Sequence, residues 1–251
     1  MKIAAQLYTL RDFLKTPEDI EKTLKKVKEI GYDAVQVSGL GSIEPQDLKA
    51  IVDSKELTIC ATHIGFDRLK NELEAVIDEH KLWDCKYVGL GAMPEEYRKN
   101  EETFIQFTKE ASGIAKELQD NGLQFIYHNH NFEFLKFGDK TGLDILLENS
   151  DQSFGFEIDT YWVQAGGGDP AQWITKVDGR MDVVHFKDMS VNGWDPIMAE
   201  VGEGNLNWDR IIQACEDIGV EWACVEQDNC YERDPFDSLA ISLRNLKAMG
   251  L

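Results

Sequence analysis

Eight strand-like runs alternate with helix-like runs along the 251 residues, and this alternation leaves few folds open. The runs are KIAAQLY (2–8), AVQVSG (34–39), LTICATHI (57–64), KYVGLGA (86–92), LQFIYHNH (123–130), FGFEID (154–159), VVHFKD (183–188) and WACVEQ (222–227). Most are continuously apolar, as expected of parallel strands covered on both faces. Successive starts lie about 23 to 40 residues apart, the spacing of βα units. Eight such units predict an α/β fold of the (β/α)8 TIM barrel type, one domain over residues 1–251. An open doubly wound sheet is the alternative. No GxGxxG follows the first run, which removes the usual reason to prefer it.

The intervening segments carry helix signals. Thr16-Pro17-Glu18-Asp19 reads as a capping-box-like start with proline at the first helical position, and Gly31 as the stop. Phe104, Phe107, Ala111, Ile114 and Leu118 form an apolar stripe that ends at Asn121-Gly122. A similar stripe runs from Trp208 to Ile218, between Asn207 and Gly219, and Pro235 opens the last helix. The stretch 189–207 reads as the longest irregular segment, placed after the seventh strand.

Charge narrows the partners. Forty-six acidic against 26 basic residues give a net charge of −20, which repels phosphate backbones and anionic lipid. Nucleic acid and membrane are therefore not expected partners. The five cysteines show no CxxC spacing and read as buried thiols in a reducing compartment. The opening MKIAAQLYTLRDFL lacks a secretory signal, so a cytoplasmic location is expected.

The chemistry gathers at the C-terminal ends of the strands, which converge in a barrel. Those ends read Thr62-His63, His128-Asn129-His130, Glu157-Ile158-Asp159, His185-Phe186-Lys187-Asp188 and Glu226-Gln227-Asp228. Four of the five histidines lie there, and the fifth, His80, falls in a helix. On an alternating strand Ile126, His128 and His130 share one face, and Asn129 points the other way. Imidazoles and carboxylates from different strands suit a divalent transition metal, although each histidine alone is equally a hydrogen-bonded barrel residue.

The segments IAAQLYTLRD, YHNHNFEF, FEIDTYW, VVHFKD with GEGNLNW, and CVEQD resemble the sugar phosphate isomerase/epimerase family. These are xylose-isomerase-like barrels that include ketose 3-epimerases and inosose dehydratases. The resemblance implies one divalent metal (Mn, Co, Zn, Fe or Mg) held by four side chains from the last four strands, usually Glu, Asp, His and Glu. By position the Asp is Asp159, the His is His185 and the last Glu is Glu226. His128 stands where the first Glu is usual, with His130 as its rival.

The expected activity is isomerisation or epimerisation of a sugar or keto sugar, by proton abstraction next to a carbonyl through a metal-stabilised enediolate. A lyase that dehydrates an inosose-like or 3-keto sugar is the alternative in the same site. Glu226, Glu133 and Glu157 are the candidate carboxylates, and Lys187 is the candidate for steadying an oxyanion. His63, His130, Trp162 and Trp194 are the candidate substrate contacts, and Phe66 a further aromatic wall. Glu133 also reads as a loop cap and Lys187 as a partner of Asp159 or Glu157. No phosphate cradle is visible, so a non-phosphorylated carbohydrate is the expected small-molecule partner. Homo-oligomers are common in such families, which extends to this chain by analogy only.

Overall fold

The computed structural model describes residues 1–251. Its barrel strands are β1 (Lys2–Gln6), β2 (Ala34–Val37), β3 (Thr58–His63), β4 (Tyr87–Leu90), β5 (Gln124–His128), β6 (Phe154–Glu157), β7 (Val183–Phe186) and β8 (Trp222–Val225). They form one sheet in the order β6-β5-β4-β3-β2-β1-β8-β7, with every paired neighbour parallel. The circle nearly closes between β6 and β7, through an Asp159–His185 bridge and a His185 N–H bond of 2.9 Å to the Ile158 carbonyl. Each strand is shorter than the apolar run that announced it, because the last residues of each run leave the ladder and turn into the loops that carry the site.

The helix signals have their physical counterparts. Thr16 caps helix Pro17–Ile30 by accepting from Asp19 N, and Gly31 ends it with φ +110°, where a β-carbon is disfavoured. Asn100 and Thr103 form a reciprocal capping box on helix Glu101–Asp120. Asn207 caps helix Trp208–Asp217. No helix is long and apolar enough to cross a membrane.

Two apolar regions result. The larger lies between the strands and the surrounding helices and carries most of the phenylalanine, leucine and valine. The smaller is a plug inside the barrel, made of Ala4, Ala34, Cys60, Ala61, Tyr87, Ile126, Val183 and Cys224. Along several strands the interior thus changes from an apolar residue low in the barrel to a polar one at the C-terminal end, as from Ala4 to Gln6, Ala34 to Gln36 and Ile126 to His128.

Segment 189–207 is not irregular throughout. Asp188–Asn192 pairs antiparallel with Asp195–Ala199, which leaves Gly193 and Trp194 as a two-residue turn with Gly193 at φ +63°. Glycine at the first turn position is what a tight type II′-like hairpin requires.

Candidate metal and substrate site

The ends of β5 to β8 bring His128, Asp159, His185 and Glu226 together, all buried, with one potential ligand atom from each lying within 4.8 Å of the others. Register explains the convergence. His128 is in register with Glu157, Asp159 two residues on bridges to His185, and Glu226 lies two residues beyond Cys224, the partner of His185. Asp159 is the N-cap of helix Thr160–Ala165, and its Oδ1 accepts from Trp162 N at 2.8 Å. That bond aims Oδ2 inward, 3.1 Å from His128 Nε2 and 3.0 Å from Lys187 Nζ.

The partners of the two histidines fix which nitrogens carry hydrogen. His128 Nδ1 lies 3.0 Å from the Gly91 carbonyl, which only accepts, so Nδ1–H is the donor. Gln36 Nε2 donates to Glu157 Oε1 at 2.7 Å, which orients the amide and turns Gln36 Oε1 to His185 Nε2, also at 2.7 Å. His185 Nε2 is therefore a donor as well. The remaining nitrogens, His128 Nε2 and His185 Nδ1, face the oxygens of Asp159 and Glu226, each 3.1 Å away. In neutral imidazoles these contacts set acceptor against acceptor, and a proton or a metal cation must mediate them. Anchoring one nitrogen to fix the other is the usual outer shell of a metal-bound histidine. The donor set thus fits a divalent ion and can hold one.

Lys187 and the neighbouring imidazoles balance the charge of the carboxylates. Lys187 Nζ, fully buried, contacts Asp159 at 3.0 Å, Glu226 at 2.7 Å and Asp228 at 2.7 Å. Burial opposes its charge, but Asp159 and Glu226 hold the ammonium well above the usual lysine range. Burial likewise opposes the carboxylates, yet Lys187 keeps both Asp159 and Glu226 well below theirs, assisted at Glu226 by His185. Against burial, Glu157 and Glu226 hold His185 well above the usual imidazole range. Asp228 is raised, first by burial and then by Glu226.

Above this cluster opens a cavity of about 480 Å³ whose wall includes His63, His128, His130, Glu226 and Asp228, with Tyr8, Arg11, Ser38 and Phe66 toward β1 to β3. Its volume suits a small polar ligand. A larger groove of about 930 Å³ lies outside the barrel between helices Pro170–Lys176 and Trp208–Asp217, where no strand end reaches it.

The sequence candidates occupy distinct places. His63 lines the cavity, but its Nε2 donates to Glu157 Oε2 at 2.7 Å and its Nδ1 faces Gln6 Nε2 at 3.3 Å. Glycine at 89 and 91 makes room for it, since a β-carbon would meet its ring at 2.8 and 2.9 Å respectively. Glu157 is fully buried with both oxygens engaged by Gln36 and His63. His130 lines the cavity, and its buried Nδ1 has no partner. Burial, with His128 and Lys187 nearby, pushes its pKa down to about 2, so the ring is neutral. Trp162 packs against it, ring centroids 5.2 Å apart, with its own buried Nε1 unpartnered.

Five of the catalytic and substrate-contact candidates do not line the cavity: Glu157 and Lys187, buried beside it, the half-buried Trp162, and Glu133 and Trp194. Glu133 folds back under the 3-10 turn Phe132–Phe134, accepting from Tyr127 Oη at 2.5 Å and His130 N at 2.9 Å. It is fully buried, raised to about 7 by that burial, and acts as the loop cap. Trp194 sits at the hairpin turn, fully exposed. The pairing foreseen for Lys187 includes Asp159 but not Glu157, and extends to Glu226 and Asp228.

The sequence assigns no role to Gln6 or Gln36, and none to Asp228 beyond its place at the eighth strand end. Gln36 carried a signal, as a polar residue inside an apolar run destined for burial on both faces. Asp228 lay one residue beyond the run that ends at Gln227.

The family described as Xylose isomerase-like TIM barrel matches residues 24–249. An inosose dehydratase from Geobacillus kaustophilus (strain HTA426) is 25% identical over 194 residues, which cover 67% of this chain and 62% of that protein. The match thus spans somewhat less than two thirds of that relative. A sugar phosphate isomerase/epimerase from Parabacteroides distasonis ATCC 8503 superposes with a TM-score of 0.81 at 22% identity, covering 99% of this chain and 94% of that one. A xylose isomerase-like TIM barrel protein from Mycobacterium smegmatis, solved in complex with magnesium, superposes with a TM-score of 0.74 at 14% identity, covering 98% and 95%.

Proposed function

Since the chain belongs to the xylose isomerase-like TIM barrel family, we propose that it is a divalent-metal-dependent isomerase or epimerase of a sugar or keto sugar. The observation that carries this reading is the convergence of His128, Asp159, His185 and Glu226, with two imidazole nitrogens turned on carboxylate oxygens by fixed outer partners. These four would hold the ion. When bound it supplies Lewis acidity toward a carbonyl and its neighbouring hydroxyl, which makes the adjacent C–H acidic.

The chain's own groups divide the remaining work. Glu226 and Asp228 are the carboxylates that line the cavity, and one of them takes the proton next to the carbonyl. Lys187 stays protonated between them and balances their charge from below the cavity. Glu157 does not exchange protons with substrate in this reading. It positions His63 and, through Gln36, His185. His130 and Trp162 bring unspent hydrogen-bonding atoms, which a polyhydroxylated ligand can satisfy.

A lyase that dehydrates an inosose-like or 3-keto sugar is the second reading, favoured by the inosose dehydratase relative and by His128 at the strand-five position. Both reactions start with the same proton and part at the fate of the enediolate.

The test is metal content by mass spectrometry after chelator-free purification, for wild type, His128→Ala and Asp159→Ala. About one divalent ion per chain, lost in both variants, is the expected result. Metal-dependent deuterium uptake from heavy water into a panel of keto sugars then separates reprotonation from loss of water. A wild-type chain that takes up no ion even after metal is added would overturn the proposal.

A further inference from the structure

The cavity is acidic at its base and has one permanent cation on its wall. Arg11 is the only lysine or arginine among the lining residues. It lies on the 3-10 segment Leu7–Phe13 that follows β1. Two backbone carbonyls anchor it, Tyr8 O from Nη1 at 2.9 Å and Asp228 O from Nη2 at 2.8 Å, and its guanidinium stands 4.5 Å from the Tyr8 ring centroid. No carboxylate lies within ion-pairing distance, in contrast to Lys187, which has three.

The seat is built around this side chain. Gly39 adopts φ +71° just beyond β2, and a β-carbon there would meet Tyr8 at 3.1 Å and the Arg11 β-carbon at 3.2 Å. Carbonyls and a ring face orient the guanidinium without neutralising it. Two of its five N–H donors are spent on these bonds, one from each terminal nitrogen, which leaves three for a further acceptor. Carboxylate and phosphate are the groups that match a guanidinium. In a chain of net charge −20, a half-buried arginine that meets no acidic side chain holds its charge for something from outside.

We infer that Arg11 is a specificity-determining residue of this site, and that the substrate is a polyhydroxy carbonyl compound with a terminal anionic group, carboxylate or phosphate. The anion meets Arg11 on the wall toward β1, while the carbonyl and hydroxyls reach the base of the cavity. This orientation gives the ligand a direction, and it rests on the substrate class proposed above.

Calorimetric titration of the full chain, with and without manganese, tests it with three probes of one carbon skeleton: D-glucitol, D-gluconate and D-glucitol 6-phosphate. In wild type, at least one anionic probe should bind about tenfold or more tightly than glucitol, and which one does so identifies carboxylate or phosphate. Arg11→Gln should bring that ratio to within about twofold while glucitol affinity holds, and Arg11→Lys should keep part of the ratio. Equal affinities in wild type, failure of both anions to bind, or an undiminished ratio in Arg11→Gln would each overturn the inference. Metal content of the same samples reports on the functional proposal separately. An anion preference in a chain that binds no metal would leave Arg11's role standing and remove the metal chemistry.

Discussion

The rings of His128 and His185 stand 4.5 Å apart, yet the residues just beyond them are treated in opposite ways. Past β7 the two buried charged groups are spent. Lys187 meets three carboxylates, and the buried Asp188 accepts from the N–H groups of Met189, Gly202, Gly204 and Leu206 and from Trp208 Nε1. Past β5 capacity is left over. His130 Nδ1 is buried without a partner, and so is Nε1 of Trp162, whose ring packs against it from the helix that follows β6. A buried polar atom without a partner costs about 1–3 kcal/mol, so it survives where a ligand can repay that cost. The β7 end is framework and charge balance, whereas the β5 end is where a ligand has something to gain.

The largest test of this contrast is Asp188→Ala. It strands several buried donors and should cost about 4 kcal/mol or more, read from denaturant unfolding. A loss below about 1 kcal/mol would mean that the 202–208 loop finds other acceptors. Lys187→Met comes next. Without added metal it leaves Asp159 and Glu226 facing each other uncompensated and should cost about 3 kcal/mol, with a smaller loss when manganese is present. Equal losses with and without manganese would argue that the ion does not enter this cluster.

His80 supplies the satisfied counterpart of His130. Its Nδ1–H donates to Val76 O and its Nε2 accepts from Thr62 Oγ1, both at 2.7 Å, and burial pushes its pKa down to about 4. Between pH 4 and the ordinary value of about 6.5 the unfolded chain binds a proton that the folded chain does not. Its contribution is therefore complete above about pH 6.5 and is lost as pH falls toward 4, on the order of 2–3 kcal/mol in all. Unfolding curves for wild type and His80→Gln at several pH values should converge across that window.

The smallest expected effect on stability, below about 1 kcal/mol, is that of His130→Phe, since the imidazole Nδ1 has no bond to lose. The same substitution should weaken binding of a polyol probe in calorimetry. A large loss of stability with unchanged binding would reverse the roles assigned to the two strand ends.

What could be read in advance follows from burial. Strands covered on both faces become apolar runs, and their caps use Thr16, Pro17 and Asn207 in the positions that backbone donors demand. His63, His128, Asp159, His185 and Glu226 stood out because imidazoles and carboxylates recur at successive strand ends and the family resemblance singles out four of these positions, and the barrel brings them together. Gln6 and Gln36 were harder to see, since an amide announces no chemistry, and their orienting role depends on partners 57 and 149 residues away. Glu133 sits three residues past His130, and only the tight turn that folds it back against Tyr127 takes it off the cavity wall. The hairpin had a local signal in Gly193, since glycine first in a two-residue loop suits a type II′ turn, and that turn is what carries Trp194 out to solvent.

The plug inside the barrel has a further consequence for how such a protein can change. Ala4 is in register with Cys224, and the Cys60 and Cys224 sulfurs lie 3.8 Å apart, so alanine and cysteine fill the lower interior on one side, against Tyr87, Ile126 and Val183 on the other. One residue pair higher stand Gln6 and Gln36, and His185 is in register with Cys224 itself. The two tiers share a tube of fixed bore, and added volume below has only one way out, which is upward. Enlarging Ala4 or Ala34 would therefore act like raising a false bottom, changing the reach of every group above it without touching any of them. Lineages that keep the lower tier small keep the freedom to exchange the upper one, and with it the reaction, on an unchanged scaffold.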